Sequence, residues 1–460
     1  MSANYILNNP AWLGGIPSHW DHKKIGALFT ERKVKVSDKE YPPLSVAKIG
    51  VVPQLDTAVK TDAGDNRKLV RIGDFVINSR SDRKGSCGVS EIDGSVSLIN
   101  IVLTPRNLWN SRYVHYLLRS HPFSEEYYRN GRGIVADLWT TRYNEMKSIL
   151  LPVPPRPEQD QIVRFLDWKV ASINKLINIK RKEIDLLKIQ RQRKLSGIIT
   201  HGLKPGVPMK ETGIRWIGSI PAHWNCVSLK RCAKVKSGIT LGKKYPDNSN
   251  LIEVPYLRVA NVQNGHVDLV TIATLRVTSQ EAQQYQLPVG CVLMTEGGDR
   301  DKLGRGCVWN GEIKNCIHQN HIFAVTVNDK LLQNKWLEYV SASDVGRTYF
   351  DVTAIRTTNL ACTNASKVLA FPIPLPPRDE QEMISNELYK ILADFDRVQN
   401  ALKSQIELLH ELKNKFIADA VTGKIDVRGI EIPEYEFVQE NIDTENDENM
   451  EGMESETYEE

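Results

Sequence analysis

The sequence predicts an α+β fold: two globular α/β-mixed segments joined by two long α-helices that form an antiparallel coiled coil, with internal pseudo-two-fold duplication. Three observations carry this expectation. A proline-led run occurs twice, as Pro154-Pro155-Arg156-Pro157-Glu158-Gln159 and as Pro376-Pro377-Arg378-Asp379-Glu380-Gln381, each heading a long helical pattern. The motif Ile-Pro-x-His-Trp also occurs twice, from Ile16 to Trp20 and from Ile220 to Trp224. Between each opening motif and each proline run lie short Val-, Ile- and Leu-rich runs separated by Gly, Pro, Asn and Asp, the pattern of strands and turns. Agreement at so many separated positions is more specific than any short motif.

In order, the chain divides into a first globule (1–153), a first long helix (154–204), a second globule (205–375), a second long helix (376–426) and an acidic tail (427–460) expected to be disordered. Pro43-Leu44-Ser45-Val46 in the first globule corresponds to Tyr256-Leu257-Arg258-Val259 in the second, and Gly73-Asp74-Phe75-Val76-Ile77 to Gly290-Cys291-Val292-Leu293-Met294. Helical patterns at 111–119 and 334–341 follow in the same order. The strand order inside the globules does not follow from these patterns.

In the second helix Ile384, Leu388, Ile391, Phe395, Val398, Leu402, Leu409, Leu412 and Phe416 recur at alternating spacings of four and three, broken only at Gln405, which is a heptad seam. The first helix keeps the seam more loosely, with Ile162, Leu166, Ile173, Leu187 and Leu195, and places Lys169 and Lys180 on it. Pro157 suits a first helical position, Asp379 an N-cap, and Gly202 and Gly423 left-handed C-terminal caps. Each helix should then run about 43 residues, or roughly 65 Å. Two helices of that length with matching seams most simply bury each other.

Composition bounds the function. No window of 18 apolar residues exists and the N-terminus lacks a signal-peptide pattern, so a cytoplasmic chain without membrane contact is expected. Seven cysteines, odd in number and without a Cys-x-x-Cys pair, read as reduced and structural. The net charge of +4 conceals polarity, because Glu434 to Glu460 holds twelve acidic residues and no Lys or Arg, which leaves +16 on residues 1–433. A body that basic points to a polyanionic partner.

The motifs argue against catalysis. Gly131-Arg132-Gly133-Ile134-Val135-Ala136 has the form of a dinucleotide loop but lacks the strand before it and the helix after it. Gly238-Ile239-Thr240-Leu241-Gly242-Lys243-Lys244 is one residue short of a P-loop and has Lys where Ser or Thr must hold the metal. Cys307, Cys316, His318 and His321 have zinc-ligand chemistry at a spacing that fits no common site. No catalytic, cofactor-binding or metal-binding residue is therefore assigned. Basic and amide residues in predicted loops stand out instead as DNA-binding candidates: Arg80, Arg83, Lys84, Arg132 and Arg142 in the first globule, and Lys243, Lys244, Arg258, Asn261, Arg300, Lys302, Arg305 and Arg356 in the second. Arg67 and Lys68 share the first cluster. Such side chains reach phosphates and the base edges of the major groove.

On its two opening motifs, its two proline runs heading long helices and its two globules, the chain from Ile16 to about Asp426 resembles a specificity subunit of a Type I restriction-modification system. The resemblance implies that each globule is a target recognition domain reading one half of a bipartite site on double-stranded DNA. It implies that the helix pair sets the spacing and docks two methyltransferase subunits, which restriction/translocase subunits then join. It also implies that this chain holds no cofactor and that S-adenosylmethionine, ATP and Mg²⁺ belong to those partners. The acidic tail after Ile432 is not needed by the family pattern. A self-sufficient DNA methyltransferase or nuclease and a coiled-coil scaffold that never touches DNA are the alternatives. The first requires a site the motifs do not supply, and the second predicts no salt-dependent DNA binding.

Overall fold

The computed structural model describes residues 5–6, 12–55, 64–80, 84–106, 109–134, 139–246, 249–298, 303–304, 306–356 and 361–441. The chain separates into two compact units, one formed by 1–182 with 403–460 and the other by 183–402. The long helices span Arg156–His201 and Arg378–Val421, so each unit holds one globule and one half of each helix.

Both globules are built on the same antiparallel four-stranded sheet. In the first unit its order is Cys87–Val89, Phe75–Asn78, Asn100–Pro105, Phe29–Glu31; in the second it is Gly306–Val308, Val292–Thr295, Ile322–Val327, Ala233–Ser237. The strands Phe75–Asn78 and Val292–Thr295 are buried at every position, which is why they read as unbroken apolar runs instead of alternating ones. A two-stranded pair accompanies each sheet, Asp21–Lys24 with Leu150–Val153 and Asn225–Ser228 with Pro372–Leu375. Paired helices follow in the same order, Ser111–Arg119 with His121–Arg129 and Asn334–Ala342 with Asp344–Thr353. The globules diverge in a second, three-stranded sheet. It is wholly antiparallel in the first (Gly94–Val96, Arg67–Val70, Lys35–Val36) but contains a parallel pair between Leu251–Leu257 and Ile317–His318 in the second.

The repeated motifs form joints. His19 Nε2 lies 2.8 Å from Glu158 Oε2 at the start of the central helix, while the neighbouring Trp20 packs on Gly423 at the end of the C-terminal helix. In the second unit His223 Nε2 lies 2.8 Å from Glu380 Oε2, and the fully buried Trp224 packs on Gly202. Each Ile-Pro-x-His-Trp run thus ties the N-terminus of one helix to the C-terminus of the other. Both glycines have left-handed φ, +73° at Gly202 and +76° at Gly423, and a Cβ on either would press the indole ring at 3.2 and 3.0 Å respectively. The residue after each joint glutamate binds the globule: Gln159 Nε2 donates to Pro154 O and its Oε1 accepts from Asn110 N, while Gln381 Nε2 donates to Pro376 O and its Oε1 accepts from Gln333 N.

Within each unit the helix halves run antiparallel. In the first, Phe165 meets Phe416 with ring centroids 6.1 Å apart and Asn174 meets Lys413 at 3.3 Å. In the second, Arg191 pairs with Asp396 at 3.2 Å, and Leu195, Ile198 and Ile199 share a core with Ile384, Leu388 and Leu392. Among the expected seam residues, Ile162, Leu166, Ile173, Ile384 and Leu388 are buried and Leu187, Ile391, Phe395, Leu402, Leu409 and Phe416 partly so. Val398 and Leu412 depart from the expectation, being 49% and 41% exposed. Near the joints a globule covers the helices as well as the partner helix; at these two positions that second cover is missing. Lys169 is accommodated on the seam as a cation over Trp168, 3.8 Å from its centroid, and 5.5 Å from that of Phe416.

The tail expected to be disordered from residue 427 is instead held through 441. Val427 is buried, Gln161 Nε2 donates to Val427 O and Ile430 O, and Asn174 Nδ2 donates to Val438 O at 3.0 Å. Glu440 accepts from Arg181 at 2.9 Å and from Lys413 at 2.5 Å, with His410 at 3.3 Å. Val427, Ile430 and Ile432 pack on the apolar core of the first unit. Residues 442–460 lie outside the described residues. No helix among the described residues is long and apolar enough to cross a membrane.

Candidate nucleic-acid interface

In the first unit a small ladder gathers the basic residues. Arg80 and Arg132 each bridge Thr140 from opposite sides, with Arg132 N donating to Thr140 O at 2.8 Å and Thr140 N returning to Arg132 O at 2.9 Å. Next to it Trp139 packs on Tyr128 with the rings tilted by 33° and centroids 5.8 Å apart, and donates from Nε1 to Tyr128 O at 2.8 Å, while Lys84 Nζ sits 5.0 Å over the Tyr128 ring. Lys84 also pairs with Glu125 at 2.5 Å and holds that carboxyl below its usual range. Arg132 is 84% exposed, with only a 3.9 Å approach to Glu145. Arg142 is exposed just beyond the ladder, and Arg83 lies outside the described residues. Arg67, by contrast, is buried and donates to Ser95 Oγ and Ser95 O, and Lys68 donates to Asn100 O. Those two are internal braces of a strand.

The second unit repeats the ladder. Ile355–Arg356, Ala361–Cys362 and Gly297–Gly298 form a three-stranded sheet with Ala361–Cys362 in the middle. Arg356 therefore occupies the place in the fold that Arg132 occupies in the first unit. Glu296 and His321 flank the sheet, 2.6 Å apart. Arg300, Lys302 and Arg305 lie outside the described residues. Lys244 and Arg258 are exposed. Lys243 is engaged by Glu281, which also accepts from Tyr245 Oη at 2.9 Å; the Lys243 hydrogen bond is the main reason the Glu281 carboxyl is pulled down to about 2.

Asn261 does not face solvent as expected of a base-reading amide. It is 4% exposed, its Oδ1 accepts from Arg258 N, and its Nδ2 donates to Asp268 O and Thr271 O. Its side chain closes a turn, because a short amide bonds its own backbone more readily than it reaches outward. His318 is also internal, fully buried with Nδ1 3.2 Å from Tyr285 O, and burial pushes its imidazole down to about 4. Among the described residues no group of three or more metal-type ligands is found. The Trp139–Tyr128 platform was not anticipated. Its signal was the aromatic content of 127–128 and 139 on either side of the glycine loop.

The fold is an internal duplication, with a ladder of exposed basic residues in its first unit. Residues 221–412 match the family model of the Type I restriction modification DNA specificity domain. The match covers the second globule and most of its helix, and the resemblance read from the sequence stands on it. The chain is similar to the putative type I restriction enzyme MjaX specificity subunit of Methanocaldococcus jannaschii, 26% identical over 43% of this chain and 45% of that one. It is likewise similar to the MjaVIII specificity subunit of the same organism, 25% identical over 62% of this chain and 64% of the relative. The alignments thus span less than two thirds of the relatives' own length. A solved chain from work on complex assembly and conformational transition of the type I R-M system shares the fold, with a TM-score of 0.63 at 16% identity over 89% of this chain and 99% of that one.

Proposed function

We propose that the chain is the DNA-binding specificity subunit of a Type I restriction-modification complex. The single observation that carries this reading is the specificity-domain match at 221–412 in a chain whose two globules share one sheet order and one ladder position for arginine. Each globule reads one half of a bipartite site on double-stranded DNA, and the helix pair sets the spacing between the halves. The chain itself is non-catalytic. Two methyltransferase subunits dock on the helix pair and restriction/translocase subunits complete the assembly in the cytoplasm. S-adenosylmethionine, ATP and Mg²⁺ serve active sites in those partners.

Methylome sequencing of the host with the chain present and deleted tests this reading. The expected outcome is one asymmetric bipartite motif whose methylation disappears on deletion. An unchanged methylome contradicts it.

A further inference from the structure

Each globule carries a short two-stranded ribbon whose base is seated in a core and whose tip is bare. In the first unit Leu44–Ala47 pairs with Gly50–Pro53 through a two-residue connection, Lys48-Ile49, and both connecting residues are exposed. Leu44, Val46 and Val51 anchor this ribbon on Val76 and Val102. In the second unit Val262 bridges Val267, Gln263 N donates to His266 O at 3.0 Å, and Asn264 and His266 are exposed at the tip. Val262 is buried there, and Val259 and Val267 pack on the same core. The ribbons are counterparts, because an isolated parallel bridge from Pro43 to Ser95 leads into the first and the parallel pairing of Tyr256 with Ile317 leads into the second.

Both tips lie against the outer strand of the four-stranded sheet. Gly50 crosses Gly88 so closely that a Cβ on Gly88 would stand 3.2 Å from Gly50 Cα, and Gly265 N donates to Gly306 O at 3.1 Å. In the first unit Arg119 grips the tip: its Nη2 donates to Lys48 O, while its Nη1 lies 2.8 Å from His115 Nε2. Arg119 also lines one cleft with Arg80 and Lys84, so the ribbon tip and the ladder are linked through a row of cations. In the second unit Asn261 fixes the ribbon's base, its amide closing the turn while its carbonyl accepts from Asp268 N at 2.7 Å. The tips themselves differ, Lys48-Ile49 against Asn264-Gly265. One frame that carries unlike side chains is what two readers of unlike half-sites require.

A major groove about 12 Å wide admits a two-stranded ribbon. A side chain on its tip discriminates between bases only when the ribbon is held rigidly, which the core contacts at each base provide. Lysine matches the O6 and N7 acceptors of guanine, and asparagine the N6 donor and N7 acceptor of adenine. Resting on the DNA-binding reading above, we propose that the two ribbon tips are the base-reading elements, Lys48 reading a guanine in the half-site of the first unit and Asn264 an adenine in that of the second. Arg80 and Lys84 hold the phosphates beside the first ribbon and set its depth in the groove.

The experiment uses the complete complex with its partner subunits and duplexes carrying the motif found by methylome sequencing, each base pair replaced in turn, with relative affinities read by competition. K48A should lower discrimination about tenfold or more at one G·C pair of the first half-site and leave every position of the second unchanged. K48R keeps a guanine contact and should preserve the preference. N264A should lower discrimination by a similar factor at one A·T pair of the second half-site alone. If either alanine variant discriminates as the wild type does at every position, or weakens binding to every duplex alike, the ribbon assignment is overturned while the specificity-subunit reading stands on the wild type's own discrimination. If the wild-type complex discriminates at no position, that reading fails and the ribbon assignment fails with it.

Discussion

At the residue scale, the joints explain the repeated motifs. The His19–Glu158 and His223–Glu380 pairs are partly solvated, so each contributes modestly, whereas Trp20 and Trp224 are buried against a helix end. W224A should therefore cost about 3–5 kcal/mol by opening a cavity, and H223A about 1 kcal/mol or less. Urea denaturation of the two variants measures the difference, and equal effects would mean that the imidazole carries the joint. His318 gives a pH dependence of definite sign. Its folded imidazole titrates near 4 and an unfolded one near 6.5, so the unfolded chain binds the extra proton between those values. Its contribution is present above pH 6.5 and lost as pH falls toward 4, by up to about 3 kcal/mol. Comparing wild type with H318Q at pH 7 and pH 4.5 checks this: the wild type should lose more stability than the variant. The joints could not be read from sequence because His19 and Glu158 lie 139 residues apart. Residue type alone also misassigned Asn261, whose amide bonds its own turn.

At the element scale, periodicity located the long helices and the ends of their seam, because heptad spacing is a local property that the fold preserves. It overstated Val398 and Leu412, since a heptad pattern records which face is apolar and not what covers it. The ordered, irregular segment 427–441 was hidden by the acidic composition around it. Only Val427, Ile430 and Ile432 marked it, and the helix side chains that hold it, Gln161, Asn174 and Arg181, are remote in sequence. Replacing Glu440 with Gln removes the negative charge that Arg181, Lys413 and His410 share and puts an amide NH₂ in place of one acceptor oxygen. The unit formed by 1–182 and 403–460 should lose about 2 kcal/mol, read by denaturation, with hydrogen exchange rising at 427–441. An unchanged exchange rate there would show that the amide side chains of the central helix hold the segment without Glu440.

At the scale of the whole molecule, the duplication was legible because it repeats at many separated positions, and the same sheet order emerges twice from two unlike sequences. The strand order itself was not legible, since it depends on pairings such as Phe29–Glu31 with Asn100–Pro105 that no local pattern encodes. Binding by a body of charge +16 should weaken steeply with salt, in proportion to the phosphates contacted. Fluorescence anisotropy of a labelled duplex with the complex at 50 and 200 mM salt should show affinity falling by more than about tenfold. An affinity indifferent to salt would deny a role to the exposed cations Arg80 and Arg132 on the first ladder.

The most direct measurement exchanges residues 20–150 for the corresponding segment of a relative with a different target and sequences the methylome of a host carrying the chimera. Two independent reading heads predict that one half of the bipartite motif changes while the other half and the spacing between them stay the same. A motif that survives the exchange intact, or one in which both halves change, would contradict the account.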